Sequence, residues 1–498
     1  MRPDTEPVLL SDLTSGFSLL NVKNDHQVLV SGITHNSREV VPGDIYVALP
    51  GANFHGAQFV TEATTKGAVA IATDQAGLSV IKNTVSNFDL PTIELINPRP
   101  DMATLAARVY GHPESNLTLV GVTGTNGKTS VTHILQSVFT NFGYRVGVIG
   151  TVGTYVAGTH LAGVRTTPES TDLYAILAKM VQANVTHVFM EVSSHALAMD
   201  RVAGLKFEKA IFTNLSQDHL DFHGTMENYF AAKAKLFTPD FAKSAVICLE
   251  DDWGKKLKSQ TDIPVSTVGL ASVQNDTDWE IKNLHLTVNR TGFNLTHNNQ
   301  NFECEIPMIG SFNATNAAVA VVVATELGLD PDLVTRDLVN INAVPGRSQI
   351  VTHNSPGTAI VDYAHTPEAV EKVLSTLREV CDGQLITVLG CGGDRDATKR
   401  PLMGKVAAQI SDVVIVTDDN PRSEDPAKIR AAVLGGINEL EAEVLEIGDR
   451  RAAIKQALAK ASHSDVVAVL GKGHEQGQEI AGEIFPFDDV KVIQEEAK

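Results

Sequence analysis

The chain is poor in cysteine. Its four, Cys248, Cys304, Cys381 and Cys391, lie far apart and form no CxxC pair, which argues against both a disulfide framework and a thiolate zinc site. It is poor in positive charge as well: 40 Lys and Arg stand against 59 Asp and Glu, a formal net charge of −19. Such a chain is not built to bind duplex nucleic acid or an anionic membrane, because phosphate contacts need clustered cations. Long apolar runs are missing too. The longest, Ala317 to Ala324, is too short to cross a bilayer, so no membrane insertion is expected. The opening residues, MRPDTEPVLL, carry Pro, Asp and Glu where a signal peptide has a basic and then an apolar stretch, and a cytoplasmic location is expected. There is no short internal repeat and no low-complexity tract. What is present is an ordinary globular composition, 43% hydrophobic and 20% charged, in a chain of 498 residues that has room for two to four domains.

Residues 1–112 mix short strand-like runs (Gln27 to Val30, Ile45 to Leu49, Ala68 to Ala72) with turn clusters and close on a helical pattern from Asp101 to Tyr110. Gly111-His112-Pro113 then reads as a helix stop and linker. From Leu117 strands and helices alternate. Val146 to Ile149, His187 to Met190, Lys209 to Phe212 and Ala245 to Leu249 resemble buried parallel strands, which implies a doubly wound α/β sheet. Near Ala343 the texture changes again, with Val344-Pro345-Gly346-Arg347 as a hinge. Beyond it Thr358 to Val361, Leu385 to Leu389, Val413 to Val416 and Val466 to Leu470 read as strands between helices. Three domains are expected, 1–112, 113–344 and 345–498.

The most informative stretch is Gly124-Thr125-Asn126-Gly127-Lys128-Thr129, followed by Ser130, directly after the apolar run Leu117 to Val122. A strand that ends in glycines and hands over to a helix directs free N–H groups and a positive helix dipole at one spot, where a polyphosphate can bind. Lys128 would meet the outer phosphates and Thr129 would put its hydroxyl on the accompanying Mg2+. The strict P-loop pattern requires glycine where Val122 stands, so a shorter-looped relative fits better than a generic P-loop NTPase.

Further groups could complete a phosphoryl-transfer site. Glu191, at the carboxyl end of a predicted strand, is placed to hold a hard cation, although a Glu beside an N-cap Ser reads the same way. Asn214 to His223 follows another strand and is dense in possible ligands, among them Asp218, His219 and Asp221; a hydrogen-bonded structural His is the bland alternative. Lys233 and Lys235 lie two apart on a helix, and from the residues alone both read as surface lysines. The last third differs in chemistry. Gly390 to Asp396, Asp419-Asn420-Pro421-Arg422 and Gly471 to Glu475 each follow a strand and imply one binding surface. Arg395 and Arg422 suit bidentate capture of a carboxylate and Glu475 could take an ammonium, so a zwitterionic ligand, an amino acid, is implied.

These residues together resemble the Mur ligase family, ATP-dependent amide-forming enzymes of peptidoglycan precursor synthesis. The likeness runs over nearly the whole chain and rests on GTNGKT (124–129), the Glu191 and His219 segments, Gly310 through Asn313 to Asn316, Gly346-Arg347, Asp362 to His365 and the C-terminal loops. GCGGDRD (390–396), DNPR (419–422) and GKGHE (471–475) are most similar to the type that adds the third residue of the peptide, the MurE type. The resemblance implies a small mixed α/β N-terminal domain near whose Ser37 the UDP end of a UDP-muramoyl-dipeptide binds. It implies a central P-loop-like ATPase domain with a mostly parallel sheet, and a C-terminal Rossmann-like α/β domain for the amino acid. By position, Thr166, Thr167, Ser193 and Arg201 match dipeptide-holding residues, and Asn313, Asn316, Arg347 and Asp362 match adenine and ribose contacts. Arg395, Asp419 to Arg422, Gly471 and Glu475 match the amino-acid site. Lys233 matches a lysine carried as N6-carboxylysine beside Mg2+, which reverses its reading as a surface residue. With Thr129, Glu191 and His219 it forms the implied metal set, and Lys128, Glu191, His219 and Lys233 the implied catalytic set. Met199 and Asn36 depart from the family pattern, which leaves the detailed contacts around them open.

The implied reaction passes the γ-phosphate of ATP to the D-Glu carboxylate of UDP-N-acetylmuramoyl-L-alanyl-D-glutamate; the amine of a third amino acid then attacks the acyl phosphate. Domain closure would orient the three substrates and exclude water. Arg422 favours meso-diaminopimelate, whose far carboxylate an arginine can fork onto, over L-lysine. The partners expected are these small molecules, in a monomer. A folylpolyglutamate synthase and a non-catalytic nucleotide-binding regulator are the rival readings.

Overall fold

The computed structural model describes residues 2–20, 27–51, 53–85, 88–161, 165–271, 277–437 and 442–497. Its compactness divides the chain into two units, Met1–Thr267 and Val268–Lys498.

Among the described residues the first unit holds a two-stranded ladder of Val8–Leu9 with Leu29–Val30 and two larger sheets. The smaller of these two sheets runs Ser18–Leu20, Thr92–Glu94, Ala70–Thr73, Asp44–Ala48, Gly32–Thr34, with only the first pair antiparallel. The helix expected at Asp101 begins three residues earlier, at Pro98, whose fixed φ suits a first helical turn. The larger sheet runs, in hydrogen-bonded order, Thr159–Leu161, Gly153–Val156, Val146–Gly150, His187–Glu191, Thr118–Thr123, Phe207–Phe212, Ala242–Cys248. The last five of these are mutually parallel, and the first two form an antiparallel hairpin that the sequence did not announce. Thr118–Thr123, first of the parallel strands in the chain, lies in the middle. The strand order therefore reverses on either side of it, and ligands of open α/β sheets bind beyond the carboxyl ends at such a point. Helix Lys128–Asn141 covers the sheet with Val131, Ile134, Leu135, Val138 and Phe139, the i, i+3, i+4, i+7 stripe of one helical face. Phe139 packs its ring 5.1 Å from that of Phe189 on the neighbouring strand.

In the second unit, Val268–Leu270 pairs in parallel with Trp279–Ile281. Strands Trp279–Leu286, Thr291–His297 and Gln300–Ile306 then form an antiparallel meander, also not expected from the sequence. The apolar run Ala317 to Ala324 lies inside helix Ser311–Glu326 and is buried on every side, which explains a hydrophobic stretch with no polar face. Among the described residues no helix is long and apolar enough to cross a membrane. A six-stranded sheet follows in the order Gln349–Val351, Thr358–Asp362, Val466–Leu470, Leu385–Cys391, Val413–Asp418, Glu443–Glu446, all parallel except the first pair. Val466–Leu470, Leu385–Cys391 and Val413–Asp418 are adjacent, so the three loops after them open at one end of the sheet.

Candidate functional site

Strand Thr118–Thr123 runs through Val122, which pairs with Glu191 and is fully buried. The position that breaks the strict P-loop pattern is thus still strand, and the loop begins only at Gly124. Gly124 has φ +149°, and a Cβ there would collide with Thr213 Oγ1. Gly127, at φ +86°, sits immediately before helix Lys128–Asn141. Both positions require glycine. The loop is pinned from one side: Thr125 N donates to Asn214 O (2.9 Å), Asn126 N to Asn214 Oδ1 (2.9 Å) and Thr213 Oγ1 to Asn126 O (2.5 Å). Lys128 folds back over it, with Nζ donating to Gly124 O (2.9 Å) and Thr125 O (2.8 Å). A helix start supplies N–H groups that have no intrahelical acceptor, and a loop built this way presents them with a lysine to one anion. Ser130, in the same first turn, is buried.

Glu191 lies beside the cradle and is buried. Its Oε1 accepts from Thr129 Oγ1 (2.9 Å) and Thr151 N (2.9 Å), its Oε2 from Thr151 Oγ1 (3.0 Å), which also meets Thr166 Oγ1 at 3.0 Å. A side chain on Gly150 would strike this carboxylate. Carboxylate and threonine hydroxyl together form a hard-oxygen donor pair of the kind Mg2+ prefers. Thr151 was not singled out in the sequence, which carries no signal for it.

Lys233 is on helix Met226–Ala234 and is buried, whereas Lys235 is exposed. Its Nζ donates to Gly124 O (2.8 Å) and stands 4.7 Å from the Tyr229 ring centre. Burial, and after it the charge of Lys128, pushes its pKa well below the usual lysine value. The reading of Lys233 as a surface residue is corrected here: two lysines two apart leave a helix in different directions, and this one points inward.

His219 follows strand Phe207–Phe212, with φ +52°. Its side chain is 46% exposed, yet desolvation of the ring's inner side lowers its pKa to about 4, and the nearby His195, Lys128 and Lys233 reinforce the shift against the pull of Asp218. Its ring lies 4.8 Å from that of His195. The imidazole is therefore neutral near pH 7. His223 is the structural histidine of the segment, its Nε2 at 3.0 Å from Ser194 Oγ. Among the described residues no cluster of three or more His, Cys, Asp or Glu forms a ready-made metal centre.

Thr167 Oγ1 donates to Glu191 O (2.8 Å) and accepts from Ser193 N (3.1 Å). Ser193 in turn caps helix Ser194–Ala198. Arg201 Nη1 donates to Thr167 O (3.2 Å), and its Nε is 2.9 Å from Glu169 Oε1. Thr166, Thr167, Ser193 and Arg201 thus adjoin Glu191. Sequence reading passed over Glu169, a buried carboxylate that also pairs with Arg99 and Arg165. Ser37 donates to Glu62 Oε2 (2.7 Å), while Asn36 caps its short helix and donates to Glu39.

In the second unit Asn313 and Asn316 are buried one turn apart, with Asn313 Nδ2 donating to Ile309 O (2.9 Å) and Asn316 Nδ2 to Asn313 Oδ1 (3.3 Å). Arg347 lies over the Tyr363 ring at 4.7 Å. Asp362 accepts from Ser348 N and Ala364 N; burial raises its pKa against the opposing pull of Arg347 and these donors.

The three strand-end loops meet. Gly393 N donates to Asn420 O (2.8 Å), and any Cβ on Gly393 would run into Pro421 O. Gly471, at φ +111°, lies against Gly390 O and Asp419. Asn420 Nδ2 donates to Glu475 Oε2 (2.7 Å). Arg395 is exposed, with Nη1 on Asp394 O (3.2 Å), and Arg422 donates through Nη1 to Gly393 O (2.7 Å). The ammonium that Glu475 meets within the chain is that of Lys472, which is fully buried and also reaches Asn420 Oδ1 (3.0 Å) and Asp419 Oδ1 (3.4 Å). Lys472 was overlooked, although its place between two glycines of a strand-end motif was the available signal.

Three family models match: "Mur ligase family, catalytic domain" at residues 29–110, "Mur ligase middle domain" at 122–324 and "Mur ligase, glutamate ligase domain" at 346–473. The UDP-N-acetylmuramoyl-L-alanyl-D-glutamate--2,6-diaminopimelate ligase of Streptomyces avermitilis is 44% identical over 94% of this chain and 92% of its own. That of Streptomyces coelicolor is 43% identical over 95% and 94%. A solved structure of a UDP-N-acetylmuramoyl-L-alanyl-D-glutamate--2,6-diaminopimelate ligase superposes with a TM-score of 0.69 at 32% identity, covering 99% of both chains. Matched in three segments and along nearly its whole length, the chain belongs to the Mur ligase family.

Proposed function

We propose that this chain is an ATP-dependent ligase that joins meso-diaminopimelate to the D-Glu carboxylate of UDP-N-acetylmuramoyl-L-alanyl-D-glutamate, in three functional domains bounded near residues 112 and 344. The observation that carries the reading is the pairing of two strand-end clusters in one chain. One is a phosphate cradle flanked by Glu191 and Lys233; the other is the loop set of Arg422, Asn420 and Glu475. The relatives' names supply the substrates.

In this mechanism the cradle of Gly124 to Ser130 receives the phosphates of ATP, and Lys128 leaves its two carbonyl partners to meet them. A carboxylate oxygen of the D-Glu residue attacks the γ-phosphorus, the bond to the ADP oxygen breaks, and an acyl phosphate results. Thr166, Thr167, Ser193 and Arg201 hold the dipeptide, and Ser37 marks the nucleotide end. Thr129, Glu191, the neutral His219 and Lys233 as N6-carboxylysine would hold Mg2+. A bound Mg2+ supplies charge neutralisation to the phosphoryl oxygens. Lys233 fits that role because a neutral amine can add CO2, losing one proton and becoming an anionic oxygen donor. Arg395, Asp419 to Arg422, Gly471 and Glu475 position the amino acid, whose neutral amine attacks the acyl carbon. The tetrahedral intermediate expels phosphate, and the amide nitrogen gives up its extra proton. Asn313, Asn316, Arg347 and Asp362 are assigned to the nucleoside of ATP.

Phosphate release tests this directly. It should require ATP, Mg2+, the UDP-muramoyl-dipeptide and meso-diaminopimelate together. Lysine and ornithine, run in parallel, should be poor replacements. Phosphate release without the dipeptide, or equal rates with lysine, would overturn the assignment.

A further inference from the structure

Building on the reading that the C-terminal loops bind meso-diaminopimelate, we propose that Glu479 is a specificity-determining residue that pairs with the far ammonium group of that substrate while Arg422 takes the far carboxylate. The far end of meso-diaminopimelate is itself an amino-acid group, with a cation and an anion on one carbon. Reading both charges requires an anion and a cation fixed side by side in the protein. Arg422 and Glu479 are such a pair: Nε and Oε2 are 3.2 Å apart.

The backbone holds them there. Arg422 N donates to Glu479 O (3.0 Å), Ala481 N to Arg422 O (2.7 Å) and Glu479 N to Asn420 Oδ1 (3.0 Å), while Gln478 Nε2 donates to Asp419 O (2.7 Å). Strand Gly477–Ile480, one arm of a hairpin with Glu483–Pro486, is thereby laced to the 419–422 loop. Arg422 adopts φ +51°, a left-handed conformation that a non-glycine residue keeps only where its surroundings fix it. Its Nη1 is anchored on Gly393 O, so the guanidinium is held at two points. Both side chains still reach solvent, Arg422 at 20% and Glu479 at 40% exposure, and Glu479 is therefore open to a ligand.

Charge matching gives the selectivity. A ligand carrying both far charges exchanges with the Arg422–Glu479 pair and leaves every charge matched. One with the carboxylate alone draws Arg422 away and leaves Glu479 unmatched, and one with the ammonium alone does the same to Arg422. Unmatched charges in a partly desolvated site are what rejects the wrong ligand.

The test is steady-state kinetics of the full chain, wild type and E479Q, with saturating ATP and UDP-muramoyl-dipeptide. Meso-diaminopimelate is compared with L-2-aminopimelate, which keeps the far carboxylate and lacks the far ammonium. The analogue is measured as a substrate or, where turnover is too slow to follow, as a competitor. In E479Q the KM for meso-diaminopimelate should rise about tenfold, while the constant for 2-aminopimelate changes less than about threefold. E479D should regain part of the preference. An equal rise for both ligands would make Glu479 only a support for Arg422, and no rise would leave it without a role; either result overturns the proposal. A wild-type chain that does not turn over meso-diaminopimelate would overturn the underlying functional reading instead. Coincident thermal melts of the two proteins would establish that E479Q is folded, and its substitution is isosteric on a partly exposed hairpin.

Discussion

The side-chain nitrogens of Lys128 and Lys233 converge on one acceptor, the carbonyl oxygen of Gly124, at 2.9 and 2.8 Å. Two ammonium groups on one oxygen repel, and the one with less access to water yields first. That is Lys233, whose pKa burial depresses before Lys128 adds its charge. Lys128 is drawn from the first turn of the helix and Lys233 from a helix more than a hundred residues later, so the cradle glycine links the phosphate-binding loop to the amine proposed as a CO2 acceptor.

Lys233→Ala should lower phosphate release by roughly 100-fold or more, in keeping with losing a metal-site donor. Short carboxylic acids such as acetate should restore part of the rate by filling the space with an oxygen donor. Wild-type turnover should also fall when bicarbonate and CO2 are stripped from the buffer. A variant with the parent's rate, or one indifferent to added acids, would remove the carboxylated-lysine role.

His219 gives a pH signature. Its pKa in the fold, about 4, lies below the ordinary 6.5. As pH falls through 6.5 the unfolded chain takes up a proton there and the folded chain does not, until about pH 4. In that window the unfolded state binds more protons, so stability rises with pH and is lost on acidification. His219→Asn should therefore show a smaller fall in Tm between pH 7 and pH 5 than the parent. Parallel Tm curves would contradict an imidazole that stays neutral in the fold.

The parallel strands were legible because buried strands write uninterrupted runs of Val, Ile and Ala, and strand-end glycines mark where the backbone turns tightly. Val146–Gly150, His187–Glu191 and Val466–Leu470 emerged within a residue of their expected limits. The antiparallel meander from Trp279 to Ile306 was not legible: its strands are half exposed, and polar residues such as Lys282, Asn283 and Asn294 interrupt the apolar pattern. Side-chain partners escaped for a different reason. That Lys472 meets Asp419, 53 residues away in the chain, depends on two strands that flank Leu385–Cys391 in the sheet, and local periodicity carries no record of that.

Lys472 is buried without exposure among Asp419, Asn420 and Glu475. Replacing it by Met keeps the length of the side chain and removes the charge, leaving Asp419 and Glu475 without their internal cation. The expected cost is about 3 kcal/mol in urea unfolding at pH 7. A Met variant as stable as the parent would show that the ammonium does not hold these loops together.

Arg422→Ala separates the two halves of the proposed reaction. The substitution removes a guanidinium anchored on Gly393 O and paired with Glu479, and touches nothing in the Gly124 to Ser130 cradle. It leaves the left-handed backbone to a residue that adopts it no more readily than arginine, but the hydrogen bonds to Glu479 O and Ala481 N are main-chain and survive. The KM for meso-diaminopimelate should rise by about 100-fold, the loss of a charge-assisted fork of roughly 3 kcal/mol. The Kd for ATP, read by nucleotide titration, should stay within about twofold. Lysine should gain relative to meso-diaminopimelate, since the unmatched cation that penalised it is gone. Equal use of meso-diaminopimelate by mutant and parent would take Arg422 out of the amino-acid site, and a parallel loss of ATP affinity would point to a general collapse of the fold.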